Sequence, residues 1–244
     1  QLGEKKRILL EKIEELEILS DRALRRCREE YEAVEEEKVI RPELHPATDS
    51  LSMGEVVRAV SEATRHEAIL VTDVGQNQMI SARYFKYTRE RSIVTSGGLG
   101  TMGFGLPAAI GAKIGAPQRE VCLFVGDGGF QMNLQELGTI FQSRVPVKII
   151  LLNNSFLGMV RQWQELFYDR RYSFTEMVNP DFGLIARGNG LSYRCVERRE
   201  ELDEAIAAMK ASEGAFLLEV RVEGEENIFP MVPAGAPVSE IRFE

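Results

Sequence analysis

The sequence predicts an α/β fold: a doubly wound, mainly parallel sheet with helices on both faces, preceded by a long N-terminal helix. From Leu51 onward, short β-branched apolar runs alternate with segments of helical pattern, which is typical of strands buried on both faces of a parallel sheet. Before them, Glu4 to Lys38 is rich in Glu, Lys, Arg and Leu and contains no Pro or Gly, as expected of a helix. We therefore divide the chain into a helix with linker, 1–46, and an α/β domain, 47–244.

The apolar residues of the first segment recur at spacings near three and four and form one stripe. Two interpretations stay open: a coiled-coil or interdomain helix, and an ordinary amphipathic helix on its own domain, since Ser20 interrupts the stripe. Arg41-Pro42 through His45-Pro46 is expected to break the helix. The stripe consists of Leu9, Ile13, Leu16, Ala23, Cys27 and Val34.

Composition excludes several classes of function. The net charge of −8 argues against nucleic acid as a partner. Cys27, Cys122 and Cys195 lie far apart without C-x-x-C spacing, which indicates a reducing, cytoplasmic location, with Cys122 as a buried thiol. Two histidines argue against a His/Cys zinc site. No apolar run reaches membrane-spanning length, and the first residue, Gln1, suggests a fragment or processed chain.

Elements follow from the alternating pattern after the linker. Three predicted strands end in clusters of Gly, Asp, Asn or Gln, so the clusters are expected to share the carboxyl edge of the sheet, where ligands bind. The predicted helices are Met53 to Thr64, about Gly105 to Ala112, Gln131 to Ser143, Pro180 to Gly188 and Arg199 to Ala211. The predicted strands are Ala68 to Thr72, Arg91 to Thr95, Val121 to Val125, Val147 to Leu152, Tyr193 to Val196 and Phe216 to Val222.

Gly126-Asp127-Gly128 directly follows one apolar strand, and Asn154 directly follows the next. A carboxylate, an amide oxygen, a backbone carbonyl and two phosphate oxygens make a plausible octahedral Mg²⁺ site. The flanking glycines let a phosphate approach, and the following helix favours an anion. By itself, Gly-Asp-Gly is more often a turn, and Asn153-Asn154 is more often a helix cap. Both together, after buried strands separated by a helix, favour a Mg²⁺-diphosphate site.

A dinucleotide fingerprint is the rival interpretation. Gly98 to Gly103 matches G-x-G-x-x-G and precedes a predicted helix. The strand before it, Arg91 to Thr95, is short and half polar, a poor start for a central parallel strand. NAD binding also leaves Gly126, Gly128 and Asn153-Asn154 without a role, so we disfavour it.

With these residues in place, the chain resembles a known family. Gly-Asp-Gly followed about thirty residues later by Asn-Asn is similar to the signature of thiamine-diphosphate enzymes. Longer stretches resemble the large catalytic subunit of acetolactate (acetohydroxyacid) synthase, in its C-terminal thiamine-diphosphate-binding domain, from about Pro42 to Gly235. These stretches are Thr72 to Met79, Thr95 to Lys113, Phe130 to Glu136, Pro146 to Asn154, Gly158 to Tyr168 and Met231 to Pro233.

The resemblance implies roles for individual residues. The Mg²⁺ ligands are Asp127, Asn154 and the backbone carbonyl of Phe156. Met102 would wedge beneath the cofactor, and Met159 and Trp163 would line the substrate pocket; by itself, Trp163 is more simply a lone aromatic on a helix. We count Met102, Met159 and Trp163 as the catalytic group. The cofactor-binding set is Gly75, Gln76, Asn77, Gly100, Met102, Asp127, Gly128, Gly129, Asn154, Phe156, Leu157, Gly158 and Met159.

One position departs from the family pattern. Asn77 stands where the family usually has histidine. Its amide can donate a hydrogen bond to a phosphate oxygen but carries no proton near neutral pH. An acid–base role for position 77 is therefore in doubt, whereas phosphate binding is not.

The resemblance also implies what the chain does and what it needs. The family condenses pyruvate with pyruvate or 2-ketobutyrate in branched-chain amino acid biosynthesis. The activating glutamate belongs to a pyrimidine-binding domain and FAD to a middle domain, and neither is found here. We expect an inactive isolated chain, a homo-oligomer, partner chains carrying those domains, and a possible regulatory small subunit. The alternatives are a non-catalytic binding or assembly module, or another thiamine-diphosphate carboligase or decarboxylase.

Overall fold

A computed structural model describes the backbone of residues 2–244 and the side chains of residues 10 and 12–244. The chain forms two units. One is Glu43–Ile228, and the other is Gln1–Pro42 together with Phe229–Glu244.

The larger unit is built on a sheet of six strands in the order β2-β1-β3-β4-β6-β5, with every neighbouring pair parallel. The predicted parallel α/β fold is thus confirmed. The strands are β1 Ile69–Thr72, β2 Ile93–Val94, β3 Val121–Gly126, β4 Lys148–Asn153, β5 Ser192–Val196 and β6 Phe216–Arg221.

Helices cover both faces of this sheet. The first two helices of the chain are α1 Leu2–Glu35 and α2 Arg41–Leu44, and eight further α-helices follow among the residues described. These are α3 Met53–Ala63, α4 Gln76–Tyr84, α5 Gly105–Gly115, α6 Asp127–Gln131, α7 Glu136–Ser143, α8 Gly158–Phe167, α9 Phe182–Gly188 and α10 Leu202–Ala211.

Alternate residues of the central strands serve opposite faces, as the pleat requires. Val121, Leu123 and Val125 of β3 join a buried cluster with apolar residues of α5, α7 and α9. On the other face, Phe124 meets Phe85 with ring centroids 6.0 Å apart, next to α3, α4 and α10. Both faces are buried, so these strands are continuous apolar runs in the sequence.

The structure corrects one predicted helix and gives the bounds of two others. Gln131 to Ser143 is not one helix: α6 ends at Gln131, and α7 begins at Glu136. Between them the backbone makes turns, with the N–H of Glu136 donating to the carbonyl of Asn133 at 3.0 Å, and Asn133 Nδ2 donates to the carbonyl of Gly103 at 2.6 Å. Helix α4 was not predicted, and α8 was expected only as a helix around Trp163 without bounds. Both begin at polar or glycine-rich strand ends.

The predicted break in the range Arg41-Pro42 through His45-Pro46 is observed at the end of that range and not at its start. After α1 comes a π-helical turn, Glu36–Ile40, and then α2 Arg41–Leu44, which contains Pro42. Proline is tolerated in a first turn, and a π-turn rearranges the hydrogen bonds that its ring would disturb. The helical conformation ends instead before His45-Pro46, where the residue preceding proline disfavours helix.

In the smaller unit, the C-terminal segment folds onto the helix. Tyr31 and Phe243 have ring centroids 5.6 Å apart, and Lys38 Nζ lies 2.6 Å from Glu244 Oε1. Much of the predicted stripe is exposed, with Ile13 at 51% and Leu16 at 65%. The side chain of Leu9 lies outside the described residues.

Asp73, at the end of β1, fixes the loop that leads into α5. Its carboxylate is fully buried and accepts hydrogen bonds from the backbone N–H groups of Val74 (2.8 Å), Gly103 (3.2 Å) and Gly105 (2.8 Å). The candidate dinucleotide loop is therefore anchored by a carboxylate of the sheet. Its preceding strand, β2, is a two-residue edge strand, as expected from its polar composition.

We predict that Asp73→Ala lowers the free energy of unfolding by about 3 kcal/mol or more, because three backbone donors lose their acceptor in a buried place. Urea denaturation measures this loss. Asp181→Ala is the matched control: Asp181 is exposed and accepts from one N–H, that of Leu184, at the start of α9, so its loss should be near 1 kcal/mol. Equal losses for the two variants would contradict the anchoring role.

Candidate functional site

The carboxyl ends of β1, β3 and β4, which are neighbours in the sheet, open on one cavity of about 240 Å³. The shared edge predicted from the strand-end clusters is thus observed. Twelve of the predicted site residues line this cavity. They are Gly75, Gln76, Asn77, Met102, Asp127, Gly128, Gly129, Asn154, Phe156, Leu157, Gly158 and Met159.

Two predicted residues lie elsewhere. Gly100 is absent from the lining; it has a positive φ of 60° in the loop before α5, where an added Cβ would approach Val74. Trp163 is 43% exposed, and its ring lies at a tilt of 53° to that of Phe167, with centroids 5.1 Å apart. It lines a neighbouring surface hollow, which shares Met159 with the cavity.

Sequence reasoning missed other contributors. Met53, at the start of α3, and Met79 and Val160 also line the cavity. Their residue types are ordinary for helices, so no local signal marks them. The same holds for Asn179, which contacts Asp127 from a loop before α9.

Asp127 is the buried acid of the cavity, with 1% of its surface exposed. Its Oδ2 accepts a 2.6 Å hydrogen bond from Asn179 Nδ2, and its Oδ1 accepts from the N–H of Gly128 at 3.1 Å. Burial raises the pKa of Asp127, and the bond from Asn179 opposes that rise. A cation in the cavity would favour the ionised carboxylate.

Asn154 lies beside it, at the end of the neighbouring strand. Its Oδ1 accepts from the N–H of Phe156 at 3.2 Å, and its Nδ2 donates to Gln76 Oε1 at 3.3 Å. Gln76 in turn donates 2.7 Å to the carbonyl of Glu226. The amide is thereby oriented from both ends.

Glycines shape the floor of the cavity. A Cβ on Gly158 would lie 1.9 Å from Gln76 Oε1, and one on Gly128 would lie 2.6 Å from Leu157 Cδ2 and 3.7 Å from Met102 Cε. A methyl group at either position would have to displace the end of the Gln76 or Leu157 side chain. The backbone is thus left open to a ligand.

Three helices begin at this cavity. The N-cap residues of α4, α6 and α8 are Gly75, Gly126 and Leu157, and none makes a side-chain cap hydrogen bond. The first N–H groups of a helix lack intrahelical partners and carry partial positive charge. Three such ends at one cavity favour a polyanion such as a diphosphate.

Asn77 contributes an uncommon group. Its Nδ2 donates to the carbonyl of Val74 at 3.2 Å, while its buried Oδ1 has no hydrogen-bond partner among the described residues. As oriented, Asn77 offers an acceptor to the cavity wall. Asn77 Nδ2 carries a second N–H, which can donate to a phosphate oxygen while the bond to Val74 is kept.

The donor set suits Mg²⁺ held together with a diphosphate. Among the described side chains, no group of three or more His, Cys, Asp or Glu is placed to hold a metal by itself. The cavity instead supplies a carboxylate and an amide oxygen, and the diphosphate would complete an octahedral oxygen shell. The residues present therefore fit both groups.

Comparison with known proteins agrees with this geometry. A family model described as "Thiamine pyrophosphate enzyme, C-terminal TPP binding domain" matches residues 73–220. Among solved structures, the chain is similar to a thiamine diphosphate-dependent 4-hydroxybenzoylformate decarboxylase from Rhodococcus jostii RHA1. The TM-score is 0.69 and the identity 26%, over 74% of this chain and 34% of that chain.

Curated relatives are closer in sequence. The acetolactate synthase isozyme 2 large subunit of Escherichia coli K12 is 43% identical over 81% of this chain and 36% of its own length. The mitochondrial acetolactate synthase catalytic subunit of Saccharomyces cerevisiae is 44% identical over 76% of this chain and 27% of its own. The chain thus spans about a third of the length of these relatives. Within the described residues, every helix is too short or too polar to cross a bilayer.

We predict that Gly158→Ala lowers the free energy of unfolding by about 1–3 kcal/mol, because the new methyl group collides with Gln76 and separates it from Asn154. Thermal or urea unfolding measures the change. Gly138→Ala, in α7, is the control: its Cβ would meet open space, so the better helix propensity of alanine should leave stability unchanged or slightly higher. A neutral Gly158→Ala would show that the floor is not close-packed.

Proposed function

Because the chain belongs to the family of thiamine pyrophosphate enzymes, we propose that it is the cofactor-binding part of an acetolactate synthase large catalytic subunit. The reaction would join two pyruvates, or pyruvate and 2-ketobutyrate, with release of CO₂. The carrying observation is the cavity at which a buried carboxylate, an amide oxygen and three uncapped helix starts converge. Identity above 40% to acetolactate synthases supports this choice among thiamine pyrophosphate enzymes.

Asp127, Asn154 and the carbonyl of Phe156 would hold Mg²⁺, and the metal would fasten the diphosphate to the sheet edge. Gln76, the glycines of the floor and the starts of α4, α6 and α8 would receive the diphosphate. Thiamine diphosphate, when bound, supplies the electron sink that 2-ketoacid decarboxylation and carbon–carbon bond formation require.

Apolar side chains of this chain would support the cofactor and line the path of the substrate. Met102 lies against the floor near Gly128 and would support the ring system of the cofactor. Met159 and Val160 line both the cavity and the hollow of Trp163. A substrate crossing from one to the other would meet these residues, so they would exclude water and select the size of the second 2-ketoacid.

The proposal includes partners. The activating glutamate and the FAD site would come from chains carrying the pyrimidine-binding and middle domains. The assembly would be a homo-oligomer, and a regulatory small subunit would bind to it. The separated free cysteines favour a reducing, cytoplasmic setting. A binding or assembly module without catalysis is the second candidate.

We predict that Asp127→Asn weakens Mg²⁺-dependent thiamine diphosphate binding at least tenfold, because it removes the single charged metal ligand at little change in volume. Calorimetry with Mg²⁺ and thiamine diphosphate measures the affinity. Since burial raises the pKa of Asp127, wild-type binding should also weaken on acidification. Asp181→Asn, on the exposed start of α9, is the control and should bind as the wild type does. Unchanged affinity of Asp127→Asn would mean that the metal ligand lies elsewhere.

A second prediction concerns activity. The purified chain with Mg²⁺, thiamine diphosphate and pyruvate should form no acetolactate, since under this proposal the activating glutamate comes from the pyrimidine-binding domain. Adding a polypeptide with the other two domains should restore product, and the same mixture with Asp127→Asn should not. Acetolactate from the chain alone would overturn the proposal that partner chains supply the activating glutamate. Acetaldehyde in the mixture would overturn the choice of reaction. Complex formation without activity would favour the binding module.

A further inference from the structure

We propose that Asn179 is a positioning residue that makes Asp127 a one-oxygen ligand and thereby favours Mg²⁺ over Ca²⁺. This inference rests on the proposed Mg²⁺-diphosphate function of the cavity. Asn179 does not line the cavity, so it would act through Asp127 rather than on the ligand.

The contact itself is short and specific. Asn179 Nδ2 donates to Asp127 Oδ2 at 2.6 Å and to Asn153 Oδ1 at 3.0 Å. Its Oδ1 accepts from Gln131 Nε2 at 3.0 Å, and the same Nε2 donates to the carbonyl of Asp127 at 3.2 Å. Both ends of the Asn179 amide are thus engaged, and its donor end faces the carboxylate.

A buried relay fixes this orientation. Asn153 Nδ2 donates 2.7 Å to Glu219 Oε1, and Glu219, 1% exposed on β6, also accepts from the hydroxyl of Tyr193 at 2.6 Å. Arg221 lies 3.1 Å from the same carboxylate. Since a carboxylate accepts and does not donate, Asn153 must turn its oxygen towards Asn179. Asn179 must then present its N–H groups.

The consequence concerns the shape of the metal site. Oδ2 of Asp127 already accepts the short 2.6 Å hydrogen bond from Asn179, whereas Oδ1 accepts from Gly128 at the longer distance of 3.1 Å, so a cation meets less competition at Oδ1. Mg²⁺ requires near-octahedral coordination and takes single carboxylate oxygens, whereas Ca²⁺ accepts more ligands and bidentate carboxylates. A carboxylate restricted to one oxygen therefore suits the smaller ion.

Substitutions of Asn179 test the proposal. Asn179→Ala and Asn179→Leu both remove the donor; leucine also fills the space that water would enter in the alanine variant. Calorimetry should give thiamine diphosphate affinity at fixed Mg²⁺ or fixed Ca²⁺, with urea unfolding as the check on folding. Asn189→Ala is the matched control, because Asn189, which directly follows α9, donates from Nδ2 to the carbonyl of Ile185 in that helix at 2.9 Å.

We expect both Asn179 variants to bind with Mg²⁺ about tenfold or more weakly, the loss typical when a partner of a metal ligand is removed. The loss with Ca²⁺ should be smaller, so the ratio of Mg²⁺ to Ca²⁺ affinity falls, while Asn189→Ala keeps the wild-type ratio. An unchanged ratio in the folded variants, whether affinity is retained or lost equally for both ions, would overturn the positioning role. A wild-type chain that binds with neither ion would overturn the proposed function itself, and this inference with it.

Discussion

A carboxylate buried at the edge of an apolar sheet must have its oxygens satisfied, and this requirement organises the ligand-facing end of the molecule. Asp73 and Asp127 meet it differently. Both oxygens of Asp73 accept hydrogen bonds from backbone N–H groups of the loop before α5, so this carboxylate stabilises the fold. Asp127 shares its oxygens between a side-chain amide and one N–H. It therefore keeps capacity for a cation, and the neighbouring strand brings Asn154 to the same place.

Net charge does not describe such a site. The chain carries −8 overall, yet its cavity is suited to an anion. The field that a diphosphate would feel comes from helix ends a few ångströms away, whereas charges beyond about 8–10 Å are screened at physiological ionic strength. Net charge is a sum over the whole chain, in which exposed ion pairs such as Arg26–Glu30 cancel. Local dipoles therefore decide what binds.

The sequence was informative where one physical signal dominated. Buried strands are continuous apolar runs, so their positions and the polar residues that follow them, such as Asp127 and Asn154, were predicted within one or two residues. Prediction failed where a distant contact decided the outcome. The predicted 131–143 helix is interrupted where Asn133 bonds to Gly103, 30 positions away, and Asn179 reaches Asp127 across a separation of 52 positions. Neither contact leaves a trace in local composition. The predicted ligand roles themselves stay predictions until metal and cofactor binding are measured.

The strand order also determines when the strands can pair during synthesis. β5 precedes β6 in the sequence but lies outside it, at the edge of the sheet. While a nascent chain emerges from the ribosome, β4 therefore has no outer neighbour and β5 has no strand to pair with until β6 has been synthesised. A polypeptide released before Phe216 loses two strands rather than one, and it exposes the backbone of β4, directly beside Asn154, as an unpaired sheet edge. Late truncation products would be prone to aggregate, and cellular quality control has reason to remove them.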